Sequence, residues 1–276
     1  MRKLGSAIAA VAYREAVWFK RFVADYVVAW VLPIFFGLGV IFLPSSMGSV
    51  SSVLSRMSSV LGTKVTLSEA VAYGISLSAI ISLVGAIVGD VIQTTVSEAR
   101  IMGILDSVLV SVDLGSYVTA VAIVRSVLLG FFSTIYLPIA LVAVLGLEGL
   151  RAYAFLALPL LASSIALGLY ATSIALPVAF FVNISRPWTL SSVLVPAILA
   201  GAGLYIPAYM VPAILRAIAL TTPVPELCEA LRILILKGLS GSIATIASII
   251  CGLLAAYVAI VAASARACGK KVARGG

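Results

Sequence analysis

From Ala152 to Asn183 the chain carries no charged residue, and other uncharged apolar runs recur before and after that stretch. Hydrocarbon offers no water to the N–H and C=O groups of a backbone. An apolar run of about 18 residues or more therefore has one stable form there, a membrane-spanning helix. The strands of a membrane barrel would read as alternating segments of about ten residues, and the sequence holds none. Only 10% of the 276 residues are charged, and the mean hydropathy is +1.23. The expected fold class is an all-α membrane protein.

Six transmembrane helices are expected: Tyr26–Leu43, Ala70–Asp90, Ser126–Gly146, Ala154–Val182, Thr189–Ile206 and Ser242–Ser264. The fourth run exceeds the roughly 20 residues that one crossing needs and is too short for two crossings and a turn. It reads as one long helix bent near Pro177. With six spans both termini share a side. Twelve of the 18 Lys and Arg residues fall on that side, Arg2, Lys3, Arg266 and Lys270 among them, which makes it cytoplasmic. The opening MRKLGSAIAAVA has the outline of a signal peptide. Its apolar core is short, and cleavage would leave Lys20 and Arg21 outside, so it is expected to stay. The organisation predicted is a single transmembrane domain over 1–276 in the plasma membrane. It comprises a cytoplasmic helix in 1–25, six spans in 26–264 and a basic cytoplasmic tail in 265–276.

Composition removes several classes of function. The chain has no histidine, the commonest general base and metal ligand. Cys228, Cys251 and Cys268 form no zinc spacing. No G-x-x-x-x-G-K-[ST] motif occurs, so the chain is not expected to hold an ATPase site of its own. No catalytic residue, metal or cofactor is expected on it. The net charge of +8 lies in short flanks around the spans, where topology accounts for it; membrane lipids, and not nucleic acid, are the expected partners. Asp90 and Arg125 near the inner ends of two spans either pair or snorkel separately to the interface. Gly85 with Gly89, and Gly201 with Gly203, give small faces that read as packing within the subunit.

Several segments between the spans are amphipathic. In Val11–Ala24 the residues Ala12, Ala16, Phe19 and Val23 recur at helical spacing, while Arg14, Lys20 and Arg21 carry charge. This predicts a helix lying along the inner membrane surface, as a basic anchor or as a docking element. Val50, Val53, Leu54, Met57 and Leu61 fall on one face of a short outer helix, and Thr66 with Glu69 forms a capping box that opens the second span. Between spans two and three, Thr95 and Glu98 form a second such box. Ile101, Ile104, Leu105 and Val108 follow at helical spacing, predicting a cytoplasmic amphipathic helix over Val96–Val110. Its polar face carries Glu98, Arg100, Gly103 and Asp106. Such a helix serves either as an interfacial bracket or as a docking surface.

Before the last span comes IPAYMVPAILRAIALTTPVPELCEALR, from Ile206 to Arg232. Pro207 and Pro212 stop the fifth span and open a short piece; Pro223 and Pro225 break that piece and open another. Glu229 and Arg232 stand three apart and can pair. Two broken helices that re-enter from the outer side are expected, as a plug or rim over a central path, because non-helical backbone at membrane depth survives only when protein or water satisfies it.

With these segments in this order the chain resembles the membrane subunits of type-2 ATP-binding-cassette transporters, which are mostly exporters. The family's closing signature is similar to Pro207, Pro212, Pro223, Glu229 and Arg232 here; its inner loop is similar to EARIMGILDSVLVSVD, with Glu98, Arg100, Gly103, Leu105 and Asp106. In that inner motif the family's Thr is Ile104, and SVD replaces its proline turn. The resemblance implies a permease that works as a homodimer or heterodimer. It implies separate ATPase subunits that bind ATP and Mg, against which Val96–Val110 acts as a coupling helix. The N-terminal helix, with Arg14, Phe19, Lys20 and Arg21, would rest on the same subunits, and Pro207–Lys237 would form the outer gate. The cargo implied is amphipathic, drug-like, lipid-like or a glycan, moved out of the cytoplasm. The alternative is an ion-coupled secondary transporter, which would place acids or broken helices near the midplane; the middles of the spans here carry no charge.

Overall fold

Helix ends in this protein are set by local chemistry that can be named. The computed structural model describes residues 2–21, 23–24, 49–61, 63–100, 112–182, 186–204, 211–237 and 242–273. Among them the structure is helical, with no strand. In chain order the helices are α1 (Arg2–Arg21), α2 (Val50–Leu61), α3 (Leu67–Arg100), α4 (Leu114–Thr134), α5 (Leu137–Leu145) and α6 (Leu147–Phe181). There follow α7 (Trp188–Gly201), α8 (Ala213–Leu220) and α9 (Val224–Arg232), which runs on into a π-helical turn (Ile233–Lys237), and α10 (Ser242–Ala273).

Four segments are long and apolar enough to cross a membrane: Leu67–Ala99, Leu114–Leu145, Leu147–Phe181 and Ile243–Lys270. They cover the second, third, fourth and sixth predicted spans to within one residue, and the chain is an all-α membrane protein. The first predicted span, Tyr26–Leu43, lies outside the described residues. The fifth predicted span is cut short. Its helix α7 has 14 residues, about 21 Å against a hydrocarbon core of about 30 Å. Gly203 has φ 80°. Gly203 N–H bonds Ala200 O at 3.1 Å and Leu204 N–H bonds Leu199 O at 3.3 Å, the paired bonds of a Schellman stop. The small residues Gly201–Gly203 therefore end a helix as well as pack one.

The predicted start of α3 is present. Thr66 N–H donates to Glu69 Oε2 at 2.8 Å, and Glu69 N–H donates to Thr66 Oγ1 at 3.3 Å. The second box is not a start: Thr95 lies inside α3, which continues unbroken through Val96 to Arg100. No new helix opens at Val96, because the residues before Thr95 already supply the i−4 carbonyls that a helix start lacks. At 34 residues, or about 51 Å, α3 overhangs a bilayer core by about 20 Å. The partner overhang is α4. It opens at Leu114, well before the predicted Ser126, because Asp113 Oδ2 accepts from Ser116 N–H at 2.9 Å. Pro138 in the first turn of α5 has no N–H to give, and the helix kinks between Thr134 and Leu137. Gly146 (φ 64°) then reverses the chain into α6. As predicted, α6 is one helix of 35 residues with Pro177 inside it, and Pro159 as well.

α3, α4 and α6 make the core. They approach closely where side chains are small: a Cβ on Gly168 of α6 would stand 1.7 Å from Ser126 Oγ and 2.9 Å from Ala122 O of α4. A Cβ on Gly130 of α4 would stand 2.3 Å from Ser164 Oγ of α6. α10 packs on α6, with the rings of Tyr170 and Tyr257 edge to face at 5.6 Å.

The N-terminal helix buries a different stripe from the one its spacing predicts. It runs alongside α4 in the same direction: Arg14 reaches Tyr117, Glu15 reaches Arg125, and Phe19 stacks on Phe132 at 5.1 Å. The stripe it buries is Ala7, Val11 and Glu15, while Ala12, Ala16 and Val23 are exposed. The physical reason is charge. Glu15 and Arg14 need partners, and α3 and α4 supply them.

Candidate functional site

Five charged side chains meet where α1, α3 and α4 come together, next to the α3–α4 connection. Arg14 Nη1 donates to Glu98 Oε1 at 2.8 Å and to the Tyr117 hydroxyl at 2.9 Å. The Tyr117 hydroxyl donates to Glu98 Oε2 at 2.8 Å. Arg14 Nη2 donates to Glu15 Oε1 at 2.9 Å, and the same oxygen accepts from Arg125 Nε at 3.1 Å. Arg125 Nη1 reaches Asp90 Oδ2 at 2.6 Å and also donates to Thr94 Oγ1. Asp90 and Arg125 are thus paired, which decides between the two sequence readings.

The cluster is buried unevenly. The Glu15 and Glu98 side chains are 4% and 8% exposed, against 39% for Asp90. A carboxylate so deeply buried is stable only with its countercharge and its hydrogen bonds in place. Burial works against the charge of Arg14, but Glu98, Tyr117 and Glu15 outweigh it and raise its pKa above the ordinary arginine value. The arrangement fastens three helices to one another.

Of the predicted coupling residues, Glu98 lies in this cluster. It faces inward, so its carboxylate is committed within the chain. Arg100 is the last residue of α3; Gly103, Leu105 and Asp106 lie outside the described residues. Of the N-terminal helix residues, Arg14 is in the cluster and Phe19 stacks on Phe132. Lys20 and Arg21 are exposed in the last turn of α1. Sequence reasoning missed Glu15 and Tyr117. The signal for Glu15 was its place four residues after Val11 on the stripe that packs.

The second set of predicted residues lies around α8 and α9. Pro207 is outside the described residues. Pro212 precedes α8 as its N-cap, and Pro223 precedes α9. α8 folds back on α7, where a Cβ on Gly201 would stand 2.0 Å from Leu215 O. The turn between α8 and α9 is tied down: Thr222 Oγ1 donates to Ala219 O at 2.7 Å, and the Tyr257 hydroxyl of α10 donates to Thr221 O. Glu229 and Arg232 form the predicted pair, at 2.5 and 2.8 Å. Val224, Leu227, Ala230 and Leu231 turn the other face of α9 into the core. Glu226 is the anomaly: its Oε2 is buried with no hydrogen-bond partner, and burial raises its pKa. The π-helical turn after α9 places Leu234 and Ile235 beside Glu69, Glu148 and Arg151 around a cleft of about 350 Å³. Such turns are frequent at functional sites.

Among the described residues no group of three His, Cys, Asp or Glu side chains is placed to hold a metal ion. No protein-family model, curated protein or solved structure matches the chain.

Proposed function

We propose that this chain is the permease subunit of an ATP-driven exporter built on the type-2 ATP-binding-cassette plan. It works as a homodimer or heterodimer with separate ATPase subunits that carry ATP and Mg, and it sits in the plasma membrane with both termini in the cytoplasm. Its cargo is amphipathic, drug-like, lipid-like or a glycan. The observation that carries this reading is the locking of Glu98, at the foot of the α3–α4 connection, to Arg14 of α1 and Tyr117 of α4. A load applied to residues 101–111 would reach two long apolar helices and α1 together, as a subunit moved from outside itself requires. The proline-broken pair α8–α9, with Glu229 and Arg232, fits an outer gate.

The position of Glu98 shifts the coupling surface. Arg100, Gly103, Leu105 and Asp106 are left to meet the ATPase, and Glu98 transmits. Co-purification with the ATPase subunit tests this. Arg100→Glu should lower transport per ATP hydrolysed while the complex stays folded. Unchanged coupling in that variant would remove the docking assignment.

One observation favours a second reading. The cluster holds three carboxylates and two guanidinium groups, and Asp90 is partly open, so an ion-coupled secondary transporter could use it as a cation site. An imposed ion gradient separates the two.

A further inference from the structure

Helices from opposite ends of the chain line one cavity. Leu4 of α1, Leu114 and Ser116 of α4, and Val258, Ala262 and Arg266 of α10 line a cleft of about 430 Å³. Arg266 is the basic residue in the lining, and Lys270 stands exposed one turn further along α10. Topology accounts for basic residues at that end of the bundle. It does not require an arginine to stand over a cavity shared by α1, α4 and α10. The acid in the lining, Asp113, is engaged as the N-cap of α4. The walls are mostly apolar, and α10 continues away from the cleft with Ile249 exposed at 44%. A Cβ on Gly269 would meet nothing within 4 Å, so the cleft is open beside it.

We propose that this cleft holds the headgroup of an anionic phospholipid from the leaflet at that end of the bundle, with its acyl chains along the exposed face of α10. The phosphate matches the guanidinium of Arg266, which binds phosphate oxygens in a two-pronged fashion. Lys270 adds a field that favours negative headgroups. A soluble anion would gain nothing from Leu4, Val258 and Ala262, and a zwitterionic lipid gains little from the charge. The proposal requires α10 to span the membrane and is independent of what the chain transports or how it is driven.

Native mass spectrometry of the full chain in mild detergent tests it, with phosphatidylglycerol, phosphatidylcholine and glycerol 3-phosphate as probes. The wild type should retain phosphatidylglycerol in preference to phosphatidylcholine. Arg266→Gln with Lys270→Gln should weaken that retention roughly thirtyfold, and Ala262→Trp should abolish it with every charge intact. Arg151→Gln, at the other end of the bundle, should change nothing. A chromatographic profile like that of the wild type shows that each variant is folded. Equal retention of the two lipids, displacement by glycerol 3-phosphate at equal concentration, or full retention by Ala262→Trp would each overturn the proposal.

Discussion

Arg125 on α4 and Glu15 on α1 stand 110 residues apart in sequence, yet the guanidinium Nε lies 3.1 Å from the carboxylate. Arg125 also holds Asp90 of α3 at 2.6 Å. Removing it with Arg125→Ala leaves both acids without that countercharge. Breaking a buried pair costs about 3–5 kcal/mol, and the partial exposure of Asp90 sets the expectation near 3. Thermal unfolding in detergent should show that loss, and limited proteolysis should release α1 before the rest of the chain unfolds. A midpoint within a degree of the wild type contradicts the clamp.

The α4–α6 contact predicts a graded series. Gly168→Ala forces a methyl against Ser126 Oγ and Ala122 O and should cost about 1–3 kcal/mol. Ser126→Ala alone should be neutral or slightly stabilising, because Ser126 Oγ has no hydrogen-bond partner. The double variant should recover part of the loss and not all of it, since the Ala122 carbonyl remains. Chemical denaturation of the three variants checks the order.

Much of this architecture was legible before any coordinates, and the boundary of what was legible is physical. Thr66 and Glu69, and Glu229 and Arg232, follow from spacing along one helix, where sequence distance fixes spatial distance. The cluster around Glu15 does not, because its members come from three helices whose register is set by packing. Thr95 and Glu98 matched a capping pattern that the preceding helix overrode. Gly201–Gly203 satisfied two rules at once, close packing and a Schellman stop, and the positive φ of Gly203 shows that the stop operates. The resemblance to a transporter family rests on sequence segments, and Gly103, Leu105, Asp106 and Pro207 lie outside the described structure.

Glu226 gives a pH dependence. Burial raises its pKa in the folded chain, so the fold binds its proton more tightly than the unfolded chain does. That contribution to stability is complete below the unfolded carboxylate pKa and is lost as pH rises through the folded value. Glu226→Gln should remove this slope and, at neutral pH, raise the unfolding midpoint. Midpoints measured from pH 4 to 8 for both proteins decide it; parallel curves would show that Glu226 does not titrate with folding.

Glu229 and Arg232 predict a separation of stability from function. The pair is 43% and 31% exposed and sits three residues apart on one helix, a geometry that contributes about 0.2–0.5 kcal/mol. A double-mutant cycle on unfolding should give a coupling in that range. The outer-gate reading expects a clear loss of transport from Glu229→Ala in the same preparation. A loss of stability large enough to explain the transport defect would remove that reading.

The proposal that a separate ATPase drives this subunit is tested most directly in sealed liposomes. The purified chain is reconstituted alone or with its ATPase subunit, and uptake of an amphipathic dye is followed. The account predicts accumulation only when both subunits and ATP are present, with none from an imposed proton or sodium gradient. Uphill accumulation by the chain alone under an ion gradient would contradict it.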